Sequence, residues 1–310
     1  MIRPLRKDDI PEARRILRLA FGTYAGHPDP ESRRADVDLV RPRWLTDAST
    51  AFAAEVDGKL VGSNFAVRWG SVGFFGPLTV HPDLWGQGIG QQLMQPVMEC
   101  FEKWKVTHTG LFTFAESPKH IALYQKFGFW PRFLTALMTK EVQPAAKETR
   151  WSRFSKSPRT GQDSIVQACS RLTDAIYPGL DLEREIRAVQ TQGVGDTVLI
   201  WKNDELTGFA VCHCGRHTEA GENKCYIKFG AVSPDSDSVQ HFDQLLDACE
   251  AFADSENLEH LDAGMNLSRH EAYRRLLERG FRTERTGVAM HRPNEPGYSR
   301  PGVFVIDDLR

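Results

Sequence analysis

Leu78-Thr79-Val80-His81-Pro82-Asp83-Leu84-Trp85-Gly86-Gln87-Gly88-Ile89-Gly90 is the stretch on which the reading of this chain turns. An apolar run enters a Pro-marked turn, three glycines follow at alternate positions, and a helix is expected from about Gln91. Glycine permits positive φ and lets a ligand approach the backbone closely. The unpaired amides of a first helical turn, with the helix dipole behind them, face an anion. The stretch therefore reads as a phosphate cradle between a strand end and a helix. Two other cradles do not fit. No Lys-Ser or Lys-Thr follows the last glycine, so it is not a Walker A loop. The glycines are spaced two and two rather than G-x-G-x-x-G, so the dinucleotide fingerprint also fails.

Downstream, Ser117-Pro118-Lys119-His120-Ile121-Ala122-Leu123-Tyr124-Gln125-Lys126-Phe127-Gly128-Phe129 predicts a short helix. Ser117 is its cap, Pro118 its first position and Gly128 its stop.

Together these segments resemble the GNAT superfamily of acyl-CoA N-acyltransferases. The family has a Val-x-Pro strand exit, a (Gln/Arg)-x-x-Gly-x-(Gly/Ala) pyrophosphate loop and a later helix with Tyr-x-x-x-Gly-Phe. Val80 and Pro82 match the exit, Gly88 and Gly90 the loop, and Tyr124, Gly128 and Phe129 the helix. Trp85 stands where the family prefers Gln or Arg, and Ser117 where it often has Asn. The resemblance covers roughly residues 50–135. It implies acetyl-CoA as co-substrate, no metal, and direct attack of an amine on the thioester without an acyl-enzyme. It also implies that the Val80 amide serves the developing oxyanion and Tyr124 acts as general acid. Backbone groups of Thr79 and Val80 would pair with the pantetheine arm, and amides from Gln87 to Gln91 would hold the pyrophosphate. The implied cofactor set is Leu78, Thr79, Val80, Trp85, Gly86, Gln87, Gly88, Ile89, Gly90, Gln91, Ser117 and Tyr124. Many family members carry an acid on the strand leading to the loop, but Ser71–Val80 has no Asp or Glu. Glu55, His81, Glu116 and His120 lie near the motifs, and none is assigned as general base.

At 310 residues the chain is long enough for two domains. Its 41% hydrophobic and 26% charged residues describe an ordinary globular protein. A net charge of −2 argues against a nucleic-acid surface. No window approaches the 18 apolar residues of a membrane span, and the charged start Met1–Arg6 lacks a signal-peptide core. Six irregularly spaced cysteines read as reduced thiols, so the expected compartment is the cytoplasm.

In chain order, a helix is expected from Asp8-Asp9 to about Phe21, and a second, polar one over roughly 31–40. Ala51–Val56, Asp57-Gly58 and Leu60–Arg68 predict a hairpin. A third strand is expected over Ser71–Val80. The helix after the glycines carries Pro96 and is expected to kink or break there. Gly110–Phe114 predicts a central strand and Phe133–Lys140 an exit strand.

The second half repeats the first. Asp57-Gly58-Lys59-Leu60-Val61-Gly62 is echoed by Asn203-Asp204-Glu205-Leu206-Thr207-Gly208, an offset of 203 − 57 = 146. Val80-His81-Pro82-Asp83 is echoed by Val232-Ser233-Pro234-Asp235, and Gly128-Phe129 by Gly280-Phe281, both at 152. Self-similarity of this kind marks a tandem. The same shift sets Ser238, Gln240 and Phe242 opposite Gly86, Gly88 and Gly90, and Leu276 opposite Tyr124. The second copy has lost cradle and hydroxyl, and side chains at Gln240 and Phe242 would crowd the approach. One acyl-CoA site is therefore expected, in the first half.

Cys212-His213-Cys214 with His217 and Cys225 lacks the spacing of structural zinc sites. Phe74, Phe75 and Trp69 are candidates for an acyl or acceptor pocket, with core packing the default.

The expected fold is α/β, an α+β mixed sheet in two tandem GNAT-like domains, each mostly antiparallel and flanked by helices. The expected boundaries are 1–142 for the acetyltransferase domain, 143–162 for a linker, 163–292 for the degenerate copy and 293–310 for an extended tail. The expected function is N-acetyl transfer from acetyl-CoA to a primary amine of a small molecule, with no nucleic-acid or membrane partner. The rival is a non-catalytic acyl-CoA-binding or sensory module. Acceptor identity and oligomeric state are left open.

Overall fold

The computed structural model describes residues 1–144 and 150–310. The first half runs β1 (Ile2–Pro4), α1 (Ile10–Tyr24), α2 (Arg41–Thr46), β2 (Ala51–Val56), β3 (Lys59–Trp69), β4 (Val72–Phe75), β5 (Thr79–Val80), α3 (Ile89–Trp104), β6 (His108–Thr113), α4 (Pro118–Gln125) and β7 (Trp130–Glu141). The second runs β8 (Ser152–Arg153), α5 (Arg159–Ile176), α6 (Glu183–Gln192), β9 (Gly195–Lys202), β10 (Glu205–Cys214), β11 (Lys224–Val232), α7 (Ser238–Ser255), β12 (His260–Asn266), α8 (His270–Glu278), β13 (Arg282–Arg292) and β14 (Val305–Ile306). The offset of 152 carries α4 onto 270–277, β6 onto 260–265 and β7 onto 282–293, which are α8, β12 and β13 to within a residue or two. The hairpin echo also holds. Asp57 and Gly58 take φ of 49° and 73°, and Asn203 and Asp204 take 50° and 64°. Two positive-φ residues match the right-handed twist of a hairpin; Asn and Asp tolerate what glycine does freely.

Among the described residues fourteen strands form one sheet, ordered β1-β2-β3-β4-β6-β13-β7-β12-β11-β10-β9-β8, with β5 on β3 and β14 on β11. The halves are interlocked. β13 of the second half pairs antiparallel with β6 of the first, from Val288 opposite Thr113 to Arg292 opposite Thr109. In return β7 pairs with β12, from His260 opposite Glu141 to Asn266 opposite Thr135. Each copy has given its last strand to the other.

Several expectations are corrected. The expected linker 143–162 is not one. Its Ala145 and Ala146 lie outside the described residues, but Ser152–Arg153 already pairs with β9 and α5 starts at Arg159. With the last strands exchanged, no cut near 142 separates two complete sheets. The polar helix expected over 31–40 is replaced by turns and the short α2. The buried Asp38 accepts the Val40 and Arg41 amides at 3.0 and 2.9 Å, which starts the helix there with Pro42 in its first turn. The helix with Pro96 does not break. The carbonyl that loses its partner belongs to Gln92, which is exposed and open to water. It starts at Ile89, two residues before the expected Gln91. The single strand expected over Ser71–Val80 is two, β4 and β5, because Gly76-Pro77 interrupts it and Pro77 has no amide for a ladder.

A buried ionic knot ties the halves together. Arg43 on α2 grips Glu219 with Nε and Nη2 at 3.1 and 3.0 Å, and Lys228 on β11 reaches Glu219 at 3.0 Å and Glu185 at 3.1 Å. Arg43 also donates to the Gly76 carbonyl, which braces the corner where β4 turns into β5.

Candidate active site

The site begins where two strands part. β4 pairs parallel with β6 from Val72–His108 to Phe74–Gly110. After Gly76-Pro77 the chain stays on β3, but among the described residues no ladder joins β5 to β6. The His81 amide bonds the Val61 carbonyl at 2.8 Å, so Gly62 and Val80 form a pair without mutual hydrogen bonds. The Val80 N–H and C=O therefore face away from β3, into the gap. The Trp85 indole takes that carbonyl at 2.8 Å, leaving the amide. Thr79 has the opposite register. Its backbone faces β3, so of the two expected pantetheine partners only Val80 presents backbone to the gap.

The gap continues into a groove of about 590 Å³, lined by Leu78, Thr79, Val80, Trp85, Gly86, Gly88, Ile89, Gly90, Gln91 and Tyr124. Gly86 and Gly88 hold φ of 83° and 79° with open space where a Cβ would stand. They are glycines for their backbone shape, and their bare faces look outward. Gly88 caps α3, and no side chain caps its amides. The first-turn amides of Ile89, Gly90 and Gln91 have no partner within the helix. Lys119 and Lys126 also line the groove, with the Lys119 ammonium 5.1 Å above the Trp85 ring. Of the expected set, Gln87 and Ser117 are not on its wall.

Tyr124 is buried at the inner end of the groove, 6% exposed, with Thr113 as hydrogen-bond partner. Burial pushes its pKa up, so the phenol keeps its proton. His120, one turn earlier on α4 and on the same face, lines the groove too. Ser117 Oγ and His120 Nδ1 lie 2.6 Å apart, and the ring packs edge-on against Tyr24 at 5.3 Å. Burial, then the Lys119 ammonium, holds its pKa below the usual value, so the ring is neutral at pH 7. Ser117 thus positions His120. The other base candidates lie elsewhere: Glu55 pairs with Arg3 at 2.7 Å, and His81 is 3.7 Å from Asp83. Glu116 accepts from Tyr24 at 3.4 Å.

Past Tyr124 lies an inner chamber of about 160 Å³. It shares Phe21, Leu78, Phe114, His120 and Tyr124 with the groove. Its far end is built by Val37, Leu39, Leu137, Arg33, Arg34, Arg285 and Arg310. Phe75 lines it while packed in the core of the first half, and Trp69 and Phe74 pack in the core between the halves, against Phe229 and each other. Sequence reasoning missed the α1 wall and the chamber's far end. Leu17, Phe21 and Tyr24 sit on a helix in which no site residue was expected, and Arg285 and Arg310 arrive from over a hundred residues away with no local signal.

In the second copy β11 and β12 part in the same place, but β14 lies between them. Ile306 and Val305 pair with Gly230 and Ala231, and Asp307 bridges to Met265. Phe304 meets Phe242 at 5.3 Å, in a core shared with Leu276 and Ile306. Gln240 is exposed and crowds nothing. Arg269, at the register position of Ser117, pins the arm through Asp307 at 2.9 Å.

Cys212, Cys225 and Cys249 are buried in an apolar core while His213 faces the ionic knot. Among the described residues no group of three His, Cys, Asp or Glu could hold a metal, and no helix is long and apolar enough to cross a membrane.

Residues 11–129 match the model of the acetyltransferase (GNAT) family. Over 100% of this chain and 94% of its own, a Pyrococcus horikoshii protein assigned as an acetyltransferase superposes with TM-score 0.70 at 15% identity. A GCN5-related N-acetyltransferase from Sphaerobacter thermophilus covers 94% and 95% at 0.62 and 16%. A tandem GNAT protein from the clavulanic acid biosynthesis pathway covers 94% and 97% at 0.56 and 12%. No curated protein matches the chain in sequence. Residues 11–129 are therefore a domain of the acetyltransferase (GNAT) family, and the chain as a whole has the tandem GNAT fold.

Proposed function

We propose that the chain transfers an acetyl group from acetyl-CoA to a primary amine of a small molecule, at one site in its first half. The observation that carries this is convergence. The outward Val80 amide, the uncapped start of α3, buried Tyr124 and neutral His120 all open on one groove that leads to one inner chamber. Amides from Gly88 to Gln91 and the Lys119 and Lys126 ammoniums suit the phosphates, and the β5–β6 gap suits the pantetheine arm. The Val80 amide suits the carbonyl oxygen as it becomes an oxyanion.

The amine nitrogen attacks the thioester carbon, the C–S bond breaks, and the sulfur leaves as thiolate. The nitrogen's surplus proton goes to His120, and Tyr124 supplies a proton to the sulfur. The rival, a binding module without catalysis, drew on the lack of an acid along the cradle strand. His120 provides a base from α4 and removes that argument. The test is release of free CoA thiol across an amine library. Acceptor-dependent release by wild type, lowered in Tyr124→Phe and His120→Ala with acetyl-CoA still bound, supports transfer. Binding with no amine ever acetylated sinks it.

A further inference from the structure

Five of the residues that line the inner chamber are arginines and none is Asp or Glu: Arg18 on α1, Arg33 and Arg34 after it, Arg285 on β13 and Arg310 beyond β14. Three are engaged close to home. Arg18 donates to the Glu31 carbonyl at 2.8 Å, Arg33 to the Phe21 carbonyl at 2.9 Å, and Arg310 lies over the Tyr226 ring beside Asp308. The guanidinium groups of Arg34 and Arg285 make no hydrogen bond or ion pair among the described residues. Elsewhere arginines such as Arg3, Arg15, Arg187 and Arg275 sit in ion pairs. The cations also depress one another. Burial first, then Arg310 and Arg285, brings Arg34 down to about 10, with Asp262 and Asp36 opposing, and burial followed by Arg285 lowers Arg33.

Arg34 and Arg285 keep part of their side chains in water, but like charges gathered beside apolar walls still repel one another. They are a standing site for an anion, and guanidinium forks suit carboxylate and phosphate. The anion is not the co-substrate's own, because none of these arginines lines the groove that holds the glycine loop, where the cations are Lys119 and Lys126. Nor is this a solvated helix face, since the five arrive from α1, its following loop, an exchanged strand and the tail.

Resting on the acetyl-transfer reading, we propose that the acceptor is an amine that also carries an anionic group, a carboxylate or a phosphate. That group is bound at the far end of the chamber by Arg34 and Arg285, in the field of Arg18, Arg33 and Arg310. The amine then lies at the near end, by Leu78, His120 and Tyr124. The anionic group is unchanged by the reaction. The acceptor loses its ammonium charge on acetylation, so the product is one unit more negative than the substrate.

The experiment compares 4-aminobutanoate, 3-aminopropyl phosphate and the neutral 4-aminobutanamide as acceptors under saturating acetyl-CoA. It uses the full chain and its Arg34→Gln and Arg285→Gln variants. One anionic amine is expected to exceed the amide by at least about tenfold in kcat/KM, and which one it is separates carboxylate from phosphate. Each variant is expected to raise KM for that amine by about tenfold, leaving kcat and the amide nearly unchanged. Equal use of all three amines, or a preference that survives in both variants, overturns the proposal.

A second readout does not depend on turnover. Glutarate and 3-aminopropyl phosphate are titrated calorimetrically into the CoA-saturated protein, with wild-type binding of one and its loss in the variants expected. No binding of either by wild type overturns the proposal whatever the transfer assay shows. Anion binding without any acetyl transfer would instead overturn the transferase reading and leave the anion site standing.

Discussion

The two clefts of this molecule are the same piece of architecture solved twice. In each half a parallel pair of strands, β4 with β6 and β11 with β12, starts hydrogen-bonded and then parts. Parting strands leave backbone groups unpaired and a hole between them, and buried polar groups need partners. The second copy fills the hole from within, with Val305 and Ile306 on β11 and Phe304 against Phe242. The first copy keeps it open and walls it with glycines at positive φ, an outward Val80 amide and Tyr124. What distinguishes a site from a core here is whether the chain supplies its own plug.

The largest expected difference between the clefts comes from blocking the open one. Gly88→Trp puts a bulky side chain at φ 79° and into the groove. Calorimetry should show one equivalent of acetyl-CoA bound by wild type and affinity down by at least about a thousandfold in the variant, as backbone contacts of the glycine loop are lost. Two equivalents in wild type would break the comparison outright. The plug gives the next effect. Phe304→Ala should cost about 3–5 kcal/mol in denaturant unfolding, the range for emptying a core aromatic, with acetyl-CoA binding retained. Tyr124→Phe should lower kcat by about a hundredfold or more with acetyl-CoA affinity unchanged, the scale of a lost general acid. Leu276→Phe, its counterpart, should leave kcat alone.

A gentler probe uses pH at the exchanged strands. The rings of His108 on β6 and His291 on β13 meet edge-on at 4.8 Å, 3% and 1% exposed. Burial, with help from neighbouring cations, brings them down to about 3 and about 4, from 6.5. The folded chain thus holds them neutral, while the unfolded chain takes up protons below 6.5. Stability is unaffected above that pH and falls as pH drops from 6.5 toward 4, by up to about 1.4 kcal/mol per unit for each ring. Thermal midpoints from pH 7.5 to 4.5 should show the decline, shallower in His108→Gln, and a flat profile would count against a neutral buried pair. The smallest effect belongs to Gln240→Ala. It faces water opposite Gly88 and should change neither stability nor binding beyond about 0.5 kcal/mol.

Much of this architecture is legible in local chemistry alone. The turn at Asp57-Gly58, the glycines after Pro82 and the stop at Gly128 each declare a backbone shape within a few residues. The hairpin turn, the Val-x-Pro strand exit and the Gly-Phe stop recur at an almost constant offset and reveal the tandem, while the glycines after Pro82 do not recur. The exchange of β7 and β13 leaves no trace in the sequence, because a strand reads the same whichever neighbour it pairs with. The inner chamber is hidden for a related reason: Arg34, Arg285 and Arg310 become neighbours only after the sheet closes. His120 looks ordinary in sequence, since what suits it to the proposed base role is the burial that lowers its pKa.

The strand exchange also sets a timetable. Thr109 on β6 bonds Arg292, 183 residues later. At about 5–20 residues per second of synthesis, roughly 10–40 seconds separate the two. In that interval the edge of β6 away from β4 can meet only water or strands already made, its own β7 among them, and the native order β6-β13-β7-β12 requires a pairing with β7 to open again. Contacts this distant in sequence are slow to form and leave strand edges open to other chains meanwhile. The half with the open groove is completed by the last strand of the half without one, so a nascent chain cannot form the native edge of β6 until Arg292 has emerged.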